Sequence, residues 1–153
     1  MNPVINISEC DIDEVVKVLQ QIPEFAFNRK SPQSEKKWIE ERLKGVEHIL
    51  LIAKVNDEIA GVKVGYNRWN DGSFYSWLGG VLPKHRRIGV AKALALKQEE
   101  MVKSLGYKSI VFKTRNRFRT MILFGISNGF DIVKVTRTAE ITDYRIYLQK
   151  FLE

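Results

Sequence analysis

The sequence of 153 residues is 44% hydrophobic and 28% charged, which is typical of a globular protein, and its length predicts a single domain over residues 1–153. No apolar run approaches the roughly 18 residues that a membrane-spanning helix requires, and the start at Met1 shows no signal-peptide pattern, so we expect a cytoplasmic protein without a membrane partner. The single cysteine excludes an intrachain disulfide, the two histidines leave no Cys/His cluster for a metal, and the formal net charge of +7 favours anionic partners without choosing among them.

The first part of the chain predicts a strand and two helices. Residues 4–8 alternate apolar and polar side chains, as a short strand does. Asp11 and Glu14 have the spacing of a capping box, which predicts a first helix that ends at Pro23. Residues 23–30 have no period and are predicted to form a loop, after which Ser31 caps a second helix.

Three strands then follow without an intervening helix. Residues 49–55 and 59–68 are β-rich and are joined by a tight polar turn, and the turn at residues 69–73 leads into an apolar strand at 74–82. Consecutive antiparallel strands argue against a parallel Rossmann sheet, which needs crossover helices. Gly79 and Gly80 lie inside the strand at residues 74–82 and predict a bulge or a close approach to its backbone.

A basic turn precedes the longest helix. Its residues are Arg86, Arg87, Ile88, Gly89, Val90 and Ala91. Apolar residues recur at helical spacing from Val90 to Leu105, so one side of the helix is predicted to be buried. Because the first N–H groups of a helix are unpaired and carry positive partial charge, this turn predicts a phosphate or pyrophosphate site.

This segment resembles the GNAT superfamily of acyl-CoA-dependent N-acetyltransferases. That family's signature Q/R-x-x-G-x-G/A lies between a bulged fourth strand and a long third helix, and residues 86–91 match it at every defined position. The resemblance implies an α+β, three-layer α/β/α fold with about four helices. Its sheet would be mixed, mostly antiparallel, with about six or seven strands splayed between the fourth and fifth.

The resemblance also implies a coenzyme and its contacts. Acetyl-CoA would be the acyl donor, with its pyrophosphate on the basic turn and its pantetheine arm between the splayed strands. The implied cofactor-binding residues are Gly79, Gly80, Val81, Arg86, Arg87, Ile88, Gly89, Val90, Ala91 and Asn116. The basic residues around the two flanking loops would form a rim for phosphate groups or serve only as solvated surface charge.

The last part of the chain predicts one more strand, a helix and a closing hairpin. Gly106 ends the long helix, and residues 109–114 form a strand that we expect to run parallel to 74–82. Residues 119–128 predict a helix that ends at Gly129, and residues 132–137 and 144–148 predict the hairpin.

The resemblance does not identify catalytic residues, which stay unknown. The tyrosine that commonly protonates the leaving thiolate in the family corresponds here to Gly125, or to Phe124 in a shifted register, and the bulged strand carries no acidic residue. The remaining titratable candidates are Tyr66, Tyr75, Tyr144 and His85. For each of them a packing role outweighs a catalytic one.

The acceptor is expected to be a primary amine of a small molecule or a peptide. Its site would be built from residues 24–30, 69–73 and 136–143, in which Glu24, Phe25 and Phe27 are candidate contacts. The acidic residues that could attract a cationic amine are Asp71, Glu140 and Asp143. The sequence leaves the oligomeric state open, including a homodimer.

Two alternatives compete with the enzyme. The first keeps the fold but loses the chemistry, as a CoA-binding or sensory module, and the missing tyrosine motivates it. The second is a nucleic-acid-binding protein that uses the arginine and aromatic patch at residues 115–119. We rank the second lower because the basic turn with its helix explains more of the sequence.

Overall fold

The computed structural model describes residues 2–26 and 30–153. Seven strands form one sheet in these ranges: β1 Ile5–Glu9, β2 His48–Val55, β3 Glu58–Tyr66, β4 Ser73–Val81, β5 Ser109–Arg115, β6 Asp131–Thr136 and β7 Arg145–Phe151. The helices are α1 Ile12–Leu19, α2 Pro32–Leu43, α3 Val90–Ser104 and α4 Arg119–Ser127. Short 3₁₀ turns lie at Pro23–Phe25, Pro83–His85 and Ile141–Asp143.

The sheet is mixed and opens in its centre. Its strand order is β1-β2-β3-β4-β5-β7-β6, and only β4 and β5 pair in parallel. Their pairing runs from Ser73 opposite Ser109 to Ser76 opposite Phe112 and then stops, although β4 continues to Val81 and β5 to Arg115. The predicted fold, with its splay between the fourth and fifth strands, is confirmed.

Helices cover the sheet in two layers. On one face α1 and α2 bury a cluster that includes Val15, Ile39 and Val62. On the other face α3 packs Val90 and Leu94 against β2 and β4. α4 covers a smaller cluster on β5 and β7. Burying each large aliphatic side chain contributes about 1.5–3 kcal/mol, so these two layers supply most of the stability. Within the described ranges no helix is both long and apolar enough to cross a bilayer.

Local signals set the element boundaries. Asp11 and Glu14 form the predicted capping box of α1, and the Ser31 side chain accepts from the Ser34 amide at the start of α2. The β2–β3 turn places Asn56 and Asp57 at φ +49° and +69°, left-handed values that these residue types tolerate. Gly106 ends α3 at φ +91°.

The bulge in β4 lies at Trp77, so its predicted position at Gly79 and Gly80 is wrong. Val64 pairs with Leu78 and Gly65 with Ser76, which leaves Trp77 as the extra residue. This insertion places both Trp77 and Leu78 against the α1–α2 cluster. The close approach to the backbone occurs at Gly80, where the side chain of Ile22 packs so near that it would collide with a Cβ.

Candidate cofactor and acceptor site

The start of α3 presents open backbone amides. The N-cap is Gly89 at φ +96°, and no side chain caps the helix. The first helical bond joins the Ala93 amide to the Gly89 carbonyl at 3.0 Å, so the amides of residues 90–92 have no partner within the helix. A Cβ at Gly89 would have a single neighbour within 4 Å, the Cδ1 of Ile5 at 3.9 Å. With no acidic side chain in the first turn, this surface fits an anion.

Arg86 links this turn to two other elements. Its Nε donates to the Val81 carbonyl at 2.9 Å, and its two terminal nitrogens each donate to a carboxylate oxygen of Glu24 at 2.7 Å. The hydrogen bond from Arg86 holds the pKa of Glu24 below its usual range. Arg86 therefore fixes the 3₁₀ turn at Glu24 over the end of β4, and Glu24 offsets the charge that Arg86 was expected to offer a phosphate.

The gap between β4 and β5 exposes backbone groups of β4. Leu82 donates its amide to the Ala60 carbonyl on β3 at 2.7 Å. Because successive residues in a strand point their N–H and C=O groups to opposite sides, Gly79 and Val81 direct theirs away from β3, towards the gap. The Val81 carbonyl already accepts a hydrogen bond from Arg86. The Gly79 amide and carbonyl lie beyond the end of the β4–β5 pairing, so they are available to a ligand lying in the gap.

Lys63 is a residue of this region that sequence reasoning missed. It lies opposite Gly79 in the β3–β4 register, and its Cγ would be 3.7 Å from a Cβ built on Gly79. Burial lowers the pKa of its ammonium from 10.5 to about 8. The signal in the sequence is a single lysine inside the apolar run IAGVKVGY.

We expect the Lys63→Met variant to have a higher free energy of unfolding at pH 7, by about 2 kcal/mol. The folded pKa of about 8 lies below the ordinary 10.5, so the unfolded chain binds more protons between these values. The destabilisation by Lys63 is therefore complete below about pH 8 and fades as the pH rises towards 10.5. Urea denaturation of the variant and the wild type at pH 7 and pH 10 measures both the gain in the free energy of unfolding and its decrease with rising pH.

The control for this variant is Lys54→Met, which removes another half-buried strand lysine on neighbouring β2. We expect a smaller gain at pH 7 from it. A gain for Lys63→Met that stays the same at pH 10 contradicts the ionisation argument.

Asn116 connects the end of β5 to the loop between β6 and β7. Its backbone amide donates to the Tyr144 carbonyl at 2.9 Å, and its side-chain amide donates to the Ile141 carbonyl at 3.0 Å. Asn116 thereby holds this loop next to the gap in the sheet.

An open cleft of about 680 Å³ adjoins the gap on the α1–α2 side. Its walls come from α1, the 3₁₀ turn after it, α2, β4, the end of β5 and the β6–β7 loop. The lining residues are Leu19, Glu24, Phe25, Lys30, Glu35, Trp38, Leu78, Arg115, Arg117, Glu140, Thr142 and Asp143.

The cleft brings together several of the predicted acceptor contacts. Glu24, Phe25, Glu140 and Asp143 all line it. Asp71 is not among the lining residues; its carboxylate accepts from the Ser73 amide at 2.9 Å and stabilises the β3–β4 turn. Phe27 lies outside the described residues.

Asp143 is already paired within the cleft. Arg115 and Arg117 both donate to its carboxylate, the latter at 2.9 Å. The hydrogen bond from Arg115 is the main reason that the pKa of Asp143 lies below its usual range. Glu140, the other acidic acceptor candidate that lines the cleft, is the N-cap of the 3₁₀ turn Ile141–Asp143.

The titratable candidates lie mostly in packed surroundings. Tyr66 and Tyr75 belong to the core under α1 and α2, and burial raises the pKa of Tyr75. His85 is buried after β4, with its Nε2 at 3.5 Å from a carboxylate oxygen of Glu58. No grouping of three or more His, Cys, Asp or Glu side chains in the described part of the chain is suited to a metal ion.

Comparison with known proteins places this geometry in a family. The sequence model of the acetyltransferase (GNAT) family matches residues 12–124. No curated protein sequence matches the chain.

Solved structures of low sequence identity share the fold. A GNAT-family acetyltransferase from Desulfovibrio desulfuricans is 16% identical, with a TM-score of 0.79 over 97% of this chain and 99% of the other. The ribosomal-protein-S18-alanine N-acetyltransferase of Escherichia coli is 15% identical, with a TM-score of 0.76 over 97% and 94%. PaiA N-acetyltransferase of Thermoplasma acidophilum, solved with coenzyme A, is 14% identical, with a TM-score of 0.70 over 97% and 99%.

The family match covers well over half of the chain, and it includes both the strands that diverge and the helix that begins beside them. The chain therefore belongs to the GNAT family of acetyltransferases, and it is an acyltransferase.

Proposed function

We propose that this protein transfers the acetyl group of acetyl-CoA to a primary amine of a small molecule or peptide by direct attack in a ternary complex. The observation that carries the proposal is the arrangement of open amides at the start of α3 beside the unpaired edge of β4. A pyrophosphate and an amide-rich arm need these two features next to each other.

The start of α3 and the edge of β4 would bind successive parts of the coenzyme, first its pyrophosphate and then its pantetheine arm. The amides of residues 90–92 and the left-handed Gly89 would hold the pyrophosphate, with Arg87 adding charge from an exposed position. The Gly79 backbone would bond the pantetheine arm, while Gly80 lets Ile22, in the segment after α1, pack closely against β4. The full proposed set is Gly79, Gly80, Val81, Arg86, Arg87, Ile88, Gly89, Val90, Ala91 and Asn116.

Acetyl-CoA supplies a reactive thioester, so the chain has to position rather than activate it. The amine nitrogen bonds to the acetyl carbon, the carbon–sulfur bond breaks, and the proton lost by the nitrogen ends on the sulfur or in solvent. An N–H of β4 in the gap would stabilise negative charge on the acetyl oxygen. The cleft supplies the surface on which the amine approaches from the α1–α2 side.

A thiol-release assay with a panel of amines tests the proposal. We expect release of free CoA from acetyl-CoA that depends on the amine, and a turnover that depends on the cleft residues. Tight binding of CoA without thiol release for any amine would contradict the enzymatic proposal and support the CoA-binding module. Nucleic-acid binding that protects the fold when acetyl-CoA does not would contradict both.

A further inference from the structure

Beyond the cleft, the same face of the sheet carries a group of cations. Lys113 lies opposite Tyr147, and Arg115 lies opposite Arg145, in the β5–β7 register. Since residues two apart in a strand share a face, Lys113 and Arg145 lie on the face that also bears Arg115. We call Arg42, Arg68, Lys113 and Arg145 the sheet-face cations.

None of the sheet-face cations takes part in an ion pair among the described residues. The Nε of Arg145 is buried and has no hydrogen-bond partner there. An unpaired buried donor costs about 1–3 kcal/mol, or more when the group is charged. The buried Nε of Arg145 is therefore unfavourable as long as it has no partner.

The surroundings of Lys113 show the same deficit of negative charge. Burial lowers the pKa of its ammonium, and the neighbours that lower it further are Arg68, Arg145, Arg115 and Arg42. The carboxylate of Asp143 is already shared by Arg115 and Arg117.

Aromatic rings hold two of the cations in place. The Arg68 guanidinium lies 4.9 Å from the centre of the Tyr75 ring and 5.2 Å from that of Trp69. The Arg42 guanidinium lies 5.7 Å from the centre of the Trp77 ring. Stacking on a ring restricts a guanidinium without using its in-plane donors. One donor of Arg42 also bonds the Tyr66 hydroxyl at 3.4 Å.

The sheet-face cations are continuous with the cleft. Arg115 lines the cleft and is the register partner of Arg145. Trp77, the ring beside Arg42, packs edge-on against Trp38 with 4.9 Å between the ring centres, and Trp38 also lines the cleft. Because Lys113 shares a strand face with Arg115, the sheet-face cations adjoin one wall of the cleft.

We propose that the sheet-face cations bind an anionic oxygen group of the acceptor, so that the acceptor is a small amine that also carries a carboxylate or a phosphate. This inference rests on the proposed acetyl transfer to an amine. The anion supplies the missing partner of Lys113 and Arg145, and it orients the amine towards the gap between β4 and β5. Charge complementarity of this kind selects a substrate as well as binding it.

Matched pairs of amines test the substrate class. An α-amino acid is compared with its carboxamide, and phosphoethanolamine is compared with ethanolamine, by thiol release with acetyl-CoA. We expect kcat/KM to be about 10- to 100-fold higher for the acid member of at least one pair, the value of one or two charge-assisted hydrogen bonds. Which pair responds identifies the anion as carboxylate or phosphate. Equal rates within both pairs would overturn the inference while leaving the acetyltransferase proposal intact.

Variants connect that preference to the sheet-face cations. Lys113→Met and Arg145→Gln should reduce the preference for the acid substrate to about threefold or less, without lowering affinity for CoA. Lys54→Met removes a half-buried strand lysine elsewhere in the sheet and should leave the preference unchanged. A preference that survives in both test variants contradicts the assignment.

A binding measurement covers the case in which no amine in the panel reacts. Thermal unfolding is followed with inorganic phosphate and with a simple carboxylate, and we expect a rise in Tm that Lys113→Met abolishes and Lys54→Met retains. No rise, or the same rise in both variants, contradicts the anion site. A salt-sensitive gain from single-stranded RNA that Lys113→Met removes, without any gain from the small anions, would assign the surface to nucleic acid instead.

Discussion

Replacing Gly89 with glutamate is expected to lower the affinity for CoA by at least about 100-fold. The substituted carboxylate would stand beside the open amides of residues 90–92, where a phosphate is proposed to bind. Loss of the amide–phosphate bonds together with like-charge repulsion corresponds to about 3 kcal/mol. Isothermal titration of the purified variant with CoA measures the change directly.

The matched control is Gly106→Glu at the other end of the same helix. Gly106 has φ +91°, close to the +96° of Gly89, and a Cβ there would meet no atom within 4 Å. Both substitutions therefore impose a similar left-handed strain, of order 1–2 kcal/mol. Gly106→Glu should bind CoA as the wild type does. Equal affinities of the two variants would contradict the pyrophosphate site at α3.

The fold was readable from the sequence because its signals are local. The capping box at Asp11, the turn at Asn56 and the glycine that ends α3 each act through neighbours in the chain. Three β-rich segments without a helix between them fixed the antiparallel half of the sheet. The basic turn before the long helix then located the helix terminus that makes an anion site.

The site was less readable because its contacts join distant residues. Arg86 and Glu24 are 62 positions apart in the chain, and no local sequence pattern at either residue predicts their ion pair. The bulge was assigned to the glycines, but tertiary packing of Trp77 and Leu78 under α1 and α2 decides its position. Lys63 becomes unusual only when β4 brings Gly79 beside it.

The sheet-face cations illustrate the same limit. The sequence supports no specific prediction for Arg42, Arg68 or Arg145. It predicts Lys113 only as one basic residue of a flanking loop, either in a rim for the coenzyme phosphates or as solvated charge. Strand register and aromatic stacking bring these cations together beside a cleft whose walls come from several distant segments of the chain. The charge total of +7 indicated anionic partners but carried no information on where they bind.

Placing a tyrosine at Gly125, one of the two positions that could correspond to the family's tyrosine, is expected to destabilise the protein by about 3 kcal/mol or more. Gly125 is buried on the inner side of α4, where a Cβ would lie 2.6 Å from Cζ of Phe112 and 3.1 Å from Cδ2 of Leu148. Both neighbours belong to the core beneath the helix, so a phenol ring can be accommodated only by displacing α4. We therefore expect no gain in thiol release from Gly125→Tyr, and urea denaturation measures the loss of stability.

Two further variants test whether packing beneath α4 causes the predicted loss of stability. Leu123→Tyr places the same ring on the same helix at a side chain that is 64% exposed, and it should change the free energy of unfolding by at most about 0.5 kcal/mol. Gly125→Ala should destabilise although helix propensity alone favours alanine by about 1 kcal/mol, because its methyl group already meets Phe112. If Gly125→Tyr folds as stably as the wild type and speeds thiol release, the packing of α4 is not what excludes the tyrosine. Stability loss at Gly125 without loss at Leu123 would mean that core packing excludes a tyrosine from this candidate position of the family's acid.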